Sequence, residues 1–307
     1  MQSKRSVTLR SAYKPSYSIR PVVSSVATID YESFADWHSW QNVRLRDDAR
    51  FKQQWLVRLQ GAEALRSQEW IATCSLCHQK SHFRDASSLQ GEDYIREALI
   101  CPSCGINARA RAALSLLCED LSETSRIYLT EQSSASYKWC KQFRPKTQGS
   151  EYLPSHQRQK SLLSRLGLAE SKAVEHQDIT SLTFPNDSFD AIGCFDVLEH
   201  VPNYIQALRE FRRCLRPGGR LVVSVPFMEI SESSLVRARI KEDGDVEHIL
   251  HAEYHGDPVG EKILCFYHFG WDLLDTVRAA GFSSANWIRL WSPQHALLGI
   301  WIMRAQV

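Results

Sequence analysis

From residue 126 to residue 303, short apolar runs alternate with stretches of helical period. That alternation confines this part of the chain to a mostly parallel sheet with helices on both faces, because a strand parallel to its predecessor must be reached by a crossover. The runs at 126–130, near Glu151, and at 172–175, 189–195 and 220–226 are the predicted strands. The stretches around Tyr137, from Ser161 and from Tyr204 are the predicted helices. On the last of these, Tyr204, Leu208, Phe211 and Leu215 share one face, and Pro217-Gly218-Gly219 stops it before the next strand. A helix at 270–280 and strands at 285–290 and 297–303 close the scheme. Residues 227–266 are polar and show no period. The insertion at about 228–266 has the length and position of a lid that selects substrate.

Upstream, Cys74-x-x-Cys77 and Cys101-x-x-Cys104 supply four soft thiolates in two tight knuckles, the tetrahedral set that zinc prefers. Four cysteines complete the shell without His78 or His82 and leave no open position, so the predicted metal is structural. The remaining cysteines, Cys118, Cys140, Cys194, Cys214 and Cys265, read as small buried apolar residues, and the scattered spacing points to a reducing, cytoplasmic setting. Phe51, Trp55, Leu59 and Ala62 fall on one face of a predicted helix before the cysteines. Ala110, Leu114, Leu117 and Leu121 form a helical stripe after them. These patterns divide the chain into a flexible basic arm (1–30), a helical and zinc-binding module (31–122), and an α/β domain (123–307).

The basic arm holds Lys4, Arg5, Arg10, Lys14 and Arg20 with no acid before Asp30, a composition shared by loose termini and transit peptides. Over the whole chain, 37 basic residues face 35 acidic ones, and the net charge of +2 creates no field that would recruit nucleic acid or an anionic membrane. No apolar run approaches the ~20 residues of a membrane span. Around the cysteines, Arg84 is interleaved with Asp85, Glu92, Asp93 and Glu97, unlike a stripe that tracks phosphates.

Asp178-Ile179-Thr180, 184–192 (Phe-Pro-Asn-Asp-Ser-Phe-Asp-Ala-Ile), Asp196-Val197-Leu198-Glu199-His200-Val201 and 215–226 (Leu-Arg-Pro-Gly-Gly-Arg-Leu-Val-Val-Ser-Val-Pro) follow one another in a linked series. Taken together they resemble the class I S-adenosylmethionine-dependent methyltransferases, over about Ser125 to Arg304. The four-cysteine segment followed by Arg109 and Arg111 also looks like the metal module ahead of some members. The resemblance implies a Rossmann-like, doubly wound α/β sheet of about seven strands, with the cofactor across the carboxyl ends of the strands. It places Glu151 on the ribose hydroxyls beside Tyr152, and Asp178 with the Ile179 backbone on adenine. Cys194, Phe195 and Asp196 face the methionine portion, with Glu131 and Gln132 near its amino end. The first-strand loop, 130–136 (Thr-Glu-Gln-Ser-Ser-Ala-Ser), departs from the family pattern because it holds no glycine, the residue that lets backbone approach a cofactor closely.

For proton removal from an acceptor, His200 after the fourth strand and His255 with Asp257 in the insertion are the candidates, since imidazole titrates near neutral pH. Three functions follow from these residues. The first is methylation of a small molecule, such as a sugar or natural product. The second is methylation of RNA or protein docked through the zinc module. The third is a silent binding module that has kept the fold. The sequence does not name the acceptor or the oligomeric state.

Overall fold

The computed structural model describes residues 27–38, 56, 70–83, 94–165, 174–256 and 262–307. The predicted helix carrying Phe51, Trp55, Leu59 and Ala62 lies outside the described residues, as does most of the basic arm. In chain order the strands are β1 (Ala27–Tyr31), β2 (Ile71–Thr73), β3 (Lys80–His82), β4 (Ile127–Leu129), β5 (Gln148–Gly149), β6 (Phe189–Phe195) and β7 (Leu215–Ser224). They continue with β8 (Leu235–Val236), β9 (Ala238–Ile240), β10 (Val246–His248), β11 (Tyr254–Gly256), β12 (Lys262–Leu264), β13 (Tyr267–His268), β14 (Ser284–Ser292) and β15 (Leu297–Gln306). The helices are α1 (Tyr94–Glu97), α2 (Ala108–Leu117), α3 (Ala135–Phe143), α4 (His156–Arg165), α5 (Tyr204–Cys214) and α6 (Leu273–Ala279).

Seven strands form the central sheet in the order β1-β14-β15-β7-β6-β4-β5. Pairing is parallel from β5 through β4 and β6 to β7 and antiparallel from β7 through β15 and β14 to β1. The mixed half follows from the connections. Only one short turn, Pro293–His295, joins β14 to β15, which is room for a hairpin and too little for a crossover. Residues 27–30, placed with the basic arm on composition, pair with β14 as the edge strand. At the other edge, Glu151 and His176 form an isolated parallel bridge, the described remnant of the strand expected at 172–175.

The Pro217-Gly218-Gly219 turn is made possible by Gly218 at φ +77°, a left-handed conformation that side-chain-bearing residues resist. Buried side chains of α2 and α3 cover one face of the sheet, while those of α5 and α6 cover the other. Among the described residues the four-cysteine segment has no core of its own. Cys74, Leu76, Phe83 and Cys101 belong to the same buried cluster as α2, β4 and β15, so α2 is shared between the module and the sheet. Arg111 on α2 is fully buried. Its guanidinium donates to the carbonyls of His295 (2.6 Å), Ala296 (2.8 Å) and Leu99 (3.1 Å), which clamps the β14–β15 turn to the cysteine segment.

The insertion that lacked a readable period is a set of short antiparallel pairs, β8 with β13, β9 with β10, and β11 with β12. Two- and three-residue strands are too short to show an alternation in the sequence. The insertion folds back on the single turn Leu198–His200, where Phe266 N donates to Glu199 O at 2.8 Å. Among the described residues no helix is long and apolar enough to cross a membrane.

Candidate active site

At the carboxyl ends of β4, β5 and β6 lies a cavity of about 640 Å³. Of the residues proposed from the sequence, Glu131, Glu151, Tyr152, Asp178, Ile179, Phe195, Asp196 and His200 line it. Gln132 stands behind this wall, and His255 sits beside it through its neighbour Gly256. Cys194 is buried and not part of the lining. Asp257 lies outside the described residues. The insertion contributes Lys262, Ile263 and Leu264, so the far wall of the cavity comes from β11 and β12.

The glycine-free loop is held by its own polar side chains. Glu151 Oε1 accepts from Gln132 N (2.8 Å), Ser133 N (2.7 Å) and Ser133 Oγ (2.6 Å), while Ser134 Oγ caps α3 by accepting from Tyr137 N at 3.0 Å. The Gln132 side chain accepts from Glu175 N at 2.8 Å, tying the loop to the next strand. On the other side the loop packs tightly against β5, where a Cβ on Gly149 would sit 2.5 Å from Glu131 O and 2.6 Å from the Tyr137 ring. One carboxylate oxygen of Glu151 is thus committed to the loop. Asp178 is arranged similarly, with Oδ1 accepting from Thr180 N (2.8 Å) and Thr180 Oγ1 (2.7 Å).

Burial pushes the Glu131 carboxyl up to about 7 despite the nearby Arg109 guanidinium, and its Oε1 is buried without a protein partner. A carboxyl so placed needs a cation to be comfortable when ionised. Asp196, in contrast, is already paired. Its Oδ1 takes Arg96 Nη2 at 2.5 Å and its Oδ2 takes Arg109 Nη1 at 2.5 Å, while Glu97 holds Arg109 Nε at 2.7 Å. Burial alone would raise the Asp196 carboxyl, but Arg109 and Arg96 outweigh it and hold the group below the usual carboxylate range. These pairs fasten α1 and α2 of the cysteine segment to the end of β6.

The four cysteine sulfurs converge. Cys74 Sγ lies 3.8 Å from Cys104 Sγ and Cys77 Sγ lies 3.6 Å from Cys101 Sγ, with all four within 4.8 Å of one another. Zinc–sulfur bonds of about 2.3 Å at tetrahedral angles separate the sulfurs by about 3.8 Å, so the donor set fits that ion.

Residues 113–223 match the family profile described as a methyltransferase domain. Over this stretch, about a third of the chain, the protein is similar to methyltransferase domains. An uncharacterized protein of Methanocaldococcus jannaschii is 39% identical over 88 residues, covering 29% of this chain and 36% of that protein. The ubiquinone/menaquinone biosynthesis C-methyltransferase UbiE of Methylococcus capsulatus is 43% identical over 72 residues, covering 24% of this chain and 29% of its own length. The chain thus spans about a third of the length of these curated relatives. Among solved structures, an S-adenosylmethionine-dependent methyltransferase from Mesorhizobium loti is 15% identical with a TM-score of 0.38, covering 65% of this chain and 98% of that one.

Sequence reasoning also passed over a buried carboxylate beside the cavity. Glu199 is fully buried, and among the described residues neither of its carboxylate oxygens has a hydrogen-bond partner. Burial first, and the Asp196 charge second, raise its carboxyl to about 8. Its signal lay in the Asp196-Val197-Leu198-Glu199-His200 run, where a carboxylate directly precedes the histidine that was singled out. Burial lowers the His200 imidazole below its ordinary range, which keeps it neutral.

Proposed function

We propose that the protein transfers a methyl group from S-adenosylmethionine to a small-molecule acceptor of the sugar or natural-product kind, with a structural zinc ion in the four-cysteine segment. The observation that carries this reading is the cavity at the strand ends, which is lined by Glu131 and Glu151 just after β4 and β5 and by Asp178 just after the Glu151–His176 bridge. When bound, S-adenosylmethionine supplies an electrophilic methyl group on a sulfonium. Glu151, with one oxygen holding the loop, keeps the other for the ribose hydroxyls, and Asp178 serves the adenine end. Glu131, with its unpartnered buried oxygen, is the counter-charge for the amino group. Activation of the acceptor falls to His200 and His255, whose rings meet edge to face with centroids 4.9 Å apart beside the cavity. The insertion closes the far wall and so selects the acceptor and excludes water, which lets positioning contribute to the rate.

A small acceptor is favoured over RNA or a protein because β11 and β12 supply part of the cavity wall and the balanced charge offers no docking field. Calorimetric titration with S-adenosylmethionine, followed by a metabolite screen with labelled methyl donor, tests the reading. Absence of cofactor binding would instead favour the silent module, and transfer to RNA that weakens with salt would favour the second alternative.

Two expected results bear on the cofactor residues. Glu151→Ala removes both the ribose acceptor and the anchor of the loop, and leaving those groups unpaired costs about 1–3 kcal/mol, or roughly tenfold or more in affinity. Parent-like binding by this variant would rule Glu151 out as the ribose acceptor. For Glu131, the carboxyl pushed up to about 7 must lose its proton to pair with an ammonium, so cofactor affinity should climb as pH rises through 7. It should fall again above about 8, where an α-amino group gives up its proton. Glu131→Gln should erase the acidic limb of that profile, measured by titration across pH. In the free protein the sign for stability is the reverse. A carboxyl raised in the fold lowers stability as pH climbs from the unfolded carboxylate range through 7.

A further inference from the structure

We infer that Glu199, His200 and His255 form a second metal centre, a site for one divalent transition-metal ion of the zinc class with an open position facing the cavity. The inference rests on the methyltransferase reading for its role, since the open position would take the acceptor's oxygen, but the site itself stands on geometry alone. His200 Nε2 and His255 Nδ1 each lie 3.8 Å from the same oxygen, Glu199 Oε1. Donors bonded at about 2.0–2.1 Å around a tetrahedral ion stand about 3.4 Å apart, so each nitrogen need close on the oxygen by only a few tenths of an ångström, and all three donors already lie within 4.8 Å of one another.

Each imidazole is also oriented for ligation by a bond to its other nitrogen. His200 Nδ1 lies 2.9 Å from Leu264 O, which can only accept, so the proton sits on Nδ1 and the Nε2 lone pair is free to face Glu199. His255 Nε2 lies 3.1 Å from Glu253 Oε1, an arrangement that places its proton on Nε2 and its lone pair on Nδ1, again toward Glu199. A metal-binding histidine almost always donates its second N–H to a carbonyl or carboxylate in this way. Glu253 is itself held by Arg237 Nη2 at 3.1 Å and by His268 Nε2 at 3.0 Å, which fits it to support the site rather than to ligate.

The buried carboxylate supplies the independent observation. Glu199 is fully buried with both oxygens unpartnered among the described residues, and its neighbours Arg96 and Arg109 are spent on Asp196 and Glu97. A buried carboxylate without a partner is costly, and a cation between it and two neutral imidazoles removes that cost. Two histidines and one carboxylate are a donor set of catalytic metal sites that keep an open position. His200 lines the cavity, so that position opens where an acceptor would lie. An ion there would polarise a bound hydroxyl or phenol oxygen and ease loss of its proton.

The test uses the full-length protein after dialysis against a chelator mild enough to leave thiolate-bound metal in place, titrated calorimetrically and optically with Co²⁺. The expected result is one further equivalent per chain, without thiolate charge-transfer absorption, lost in Glu199→Gln and in His255→Ala. Glu253→Gln, which weakens the acceptor that orients His255 and also the pairs with Arg237 and His268, should weaken the ion by about 10–100-fold. No further equivalent in the parent, parent-like uptake by Glu199→Gln and His255→Ala, or uptake accompanied by thiolate absorption would each overturn the site. Titration of the same samples with S-adenosylmethionine keeps the two readings apart. Cobalt uptake without cofactor binding sinks the methyltransferase reading and leaves the metal centre standing, whereas cofactor binding without cobalt uptake does the opposite.

Discussion

Cys101→Ser should remove about one zinc per chain and lower the melting temperature of the whole described fold, not of the cysteine segment alone. A structural zinc of this type carries about 10–16 kcal/mol of binding free energy at neutral pH, and where the site is assembled only on folding that energy is folding energy. The effect spreads because Cys74, Leu76, Phe83 and Cys101 share one buried cluster with α2, β4 and β15. Arg111 spreads it further, since its three carbonyl partners lie on the cysteine segment and on the β14–β15 turn. Metal analysis together with thermal melting followed by circular dichroism checks both parts. Full zinc retention and parent-like melting in Cys101→Ser would sink the structural zinc assignment.

Asp196→Asn should cost about 1–3 kcal/mol, the loss of charge-assisted hydrogen bonds in an ion pair that is only partly buried. The substitution isolates the charge. Asp196 sits at φ +50°, a left-handed conformation that asparagine tolerates as well as aspartate does, so the backbone need not move. What is lost is the counter-charge of Arg96 and Arg109, both on the cysteine segment and both turned toward the end of β6. At roughly 2–4 °C per kcal/mol the change is well within reach of a thermal melt. The pH dependence has a definite sign. A carboxyl held below its usual range contributes stability that is present above the unfolded carboxylate pKa and is lost as pH falls toward the folded one. The variant should therefore melt closer to the parent in acid than at neutral pH, and an equal deficit at both would argue that Asp196 acts through shape and not charge.

The elements most legible in the sequence were those with a strong local period. The 189–195 run became β6 with the expected bounds, and the helix bearing Tyr204, Leu208 and Phe211 became α5. Asn203 caps that helix, which ends at Cys214, so Leu215 and the Pro-Gly-Gly turn, expected on the helix and before the strand, fall inside β7. The insertion was illegible because its strands are two or three residues long and are defined by their partners across the chain. The packing of the first-strand loop was not legible either, because the glycine it packs against, Gly149, stands on β5.

By itself, then, the sequence determined the alternation that imposes a helix-covered sheet, the four thiolates, and the order of acids along successive strand ends, all of which are encoded within a few neighbouring positions. The tertiary structure decided what those residues are free to do. Asp196, which the motif placed beside the methionine portion, is engaged by two arginines that precede it by 100 and by 87 residues, at Arg96 and Arg109. Glu199 shares one focus with His200 beside it and with His255 from the insertion. Such pairings depend on which side chains are buried together and which charges are already compensated, and those are properties of contacts between distant segments that local pattern cannot carry.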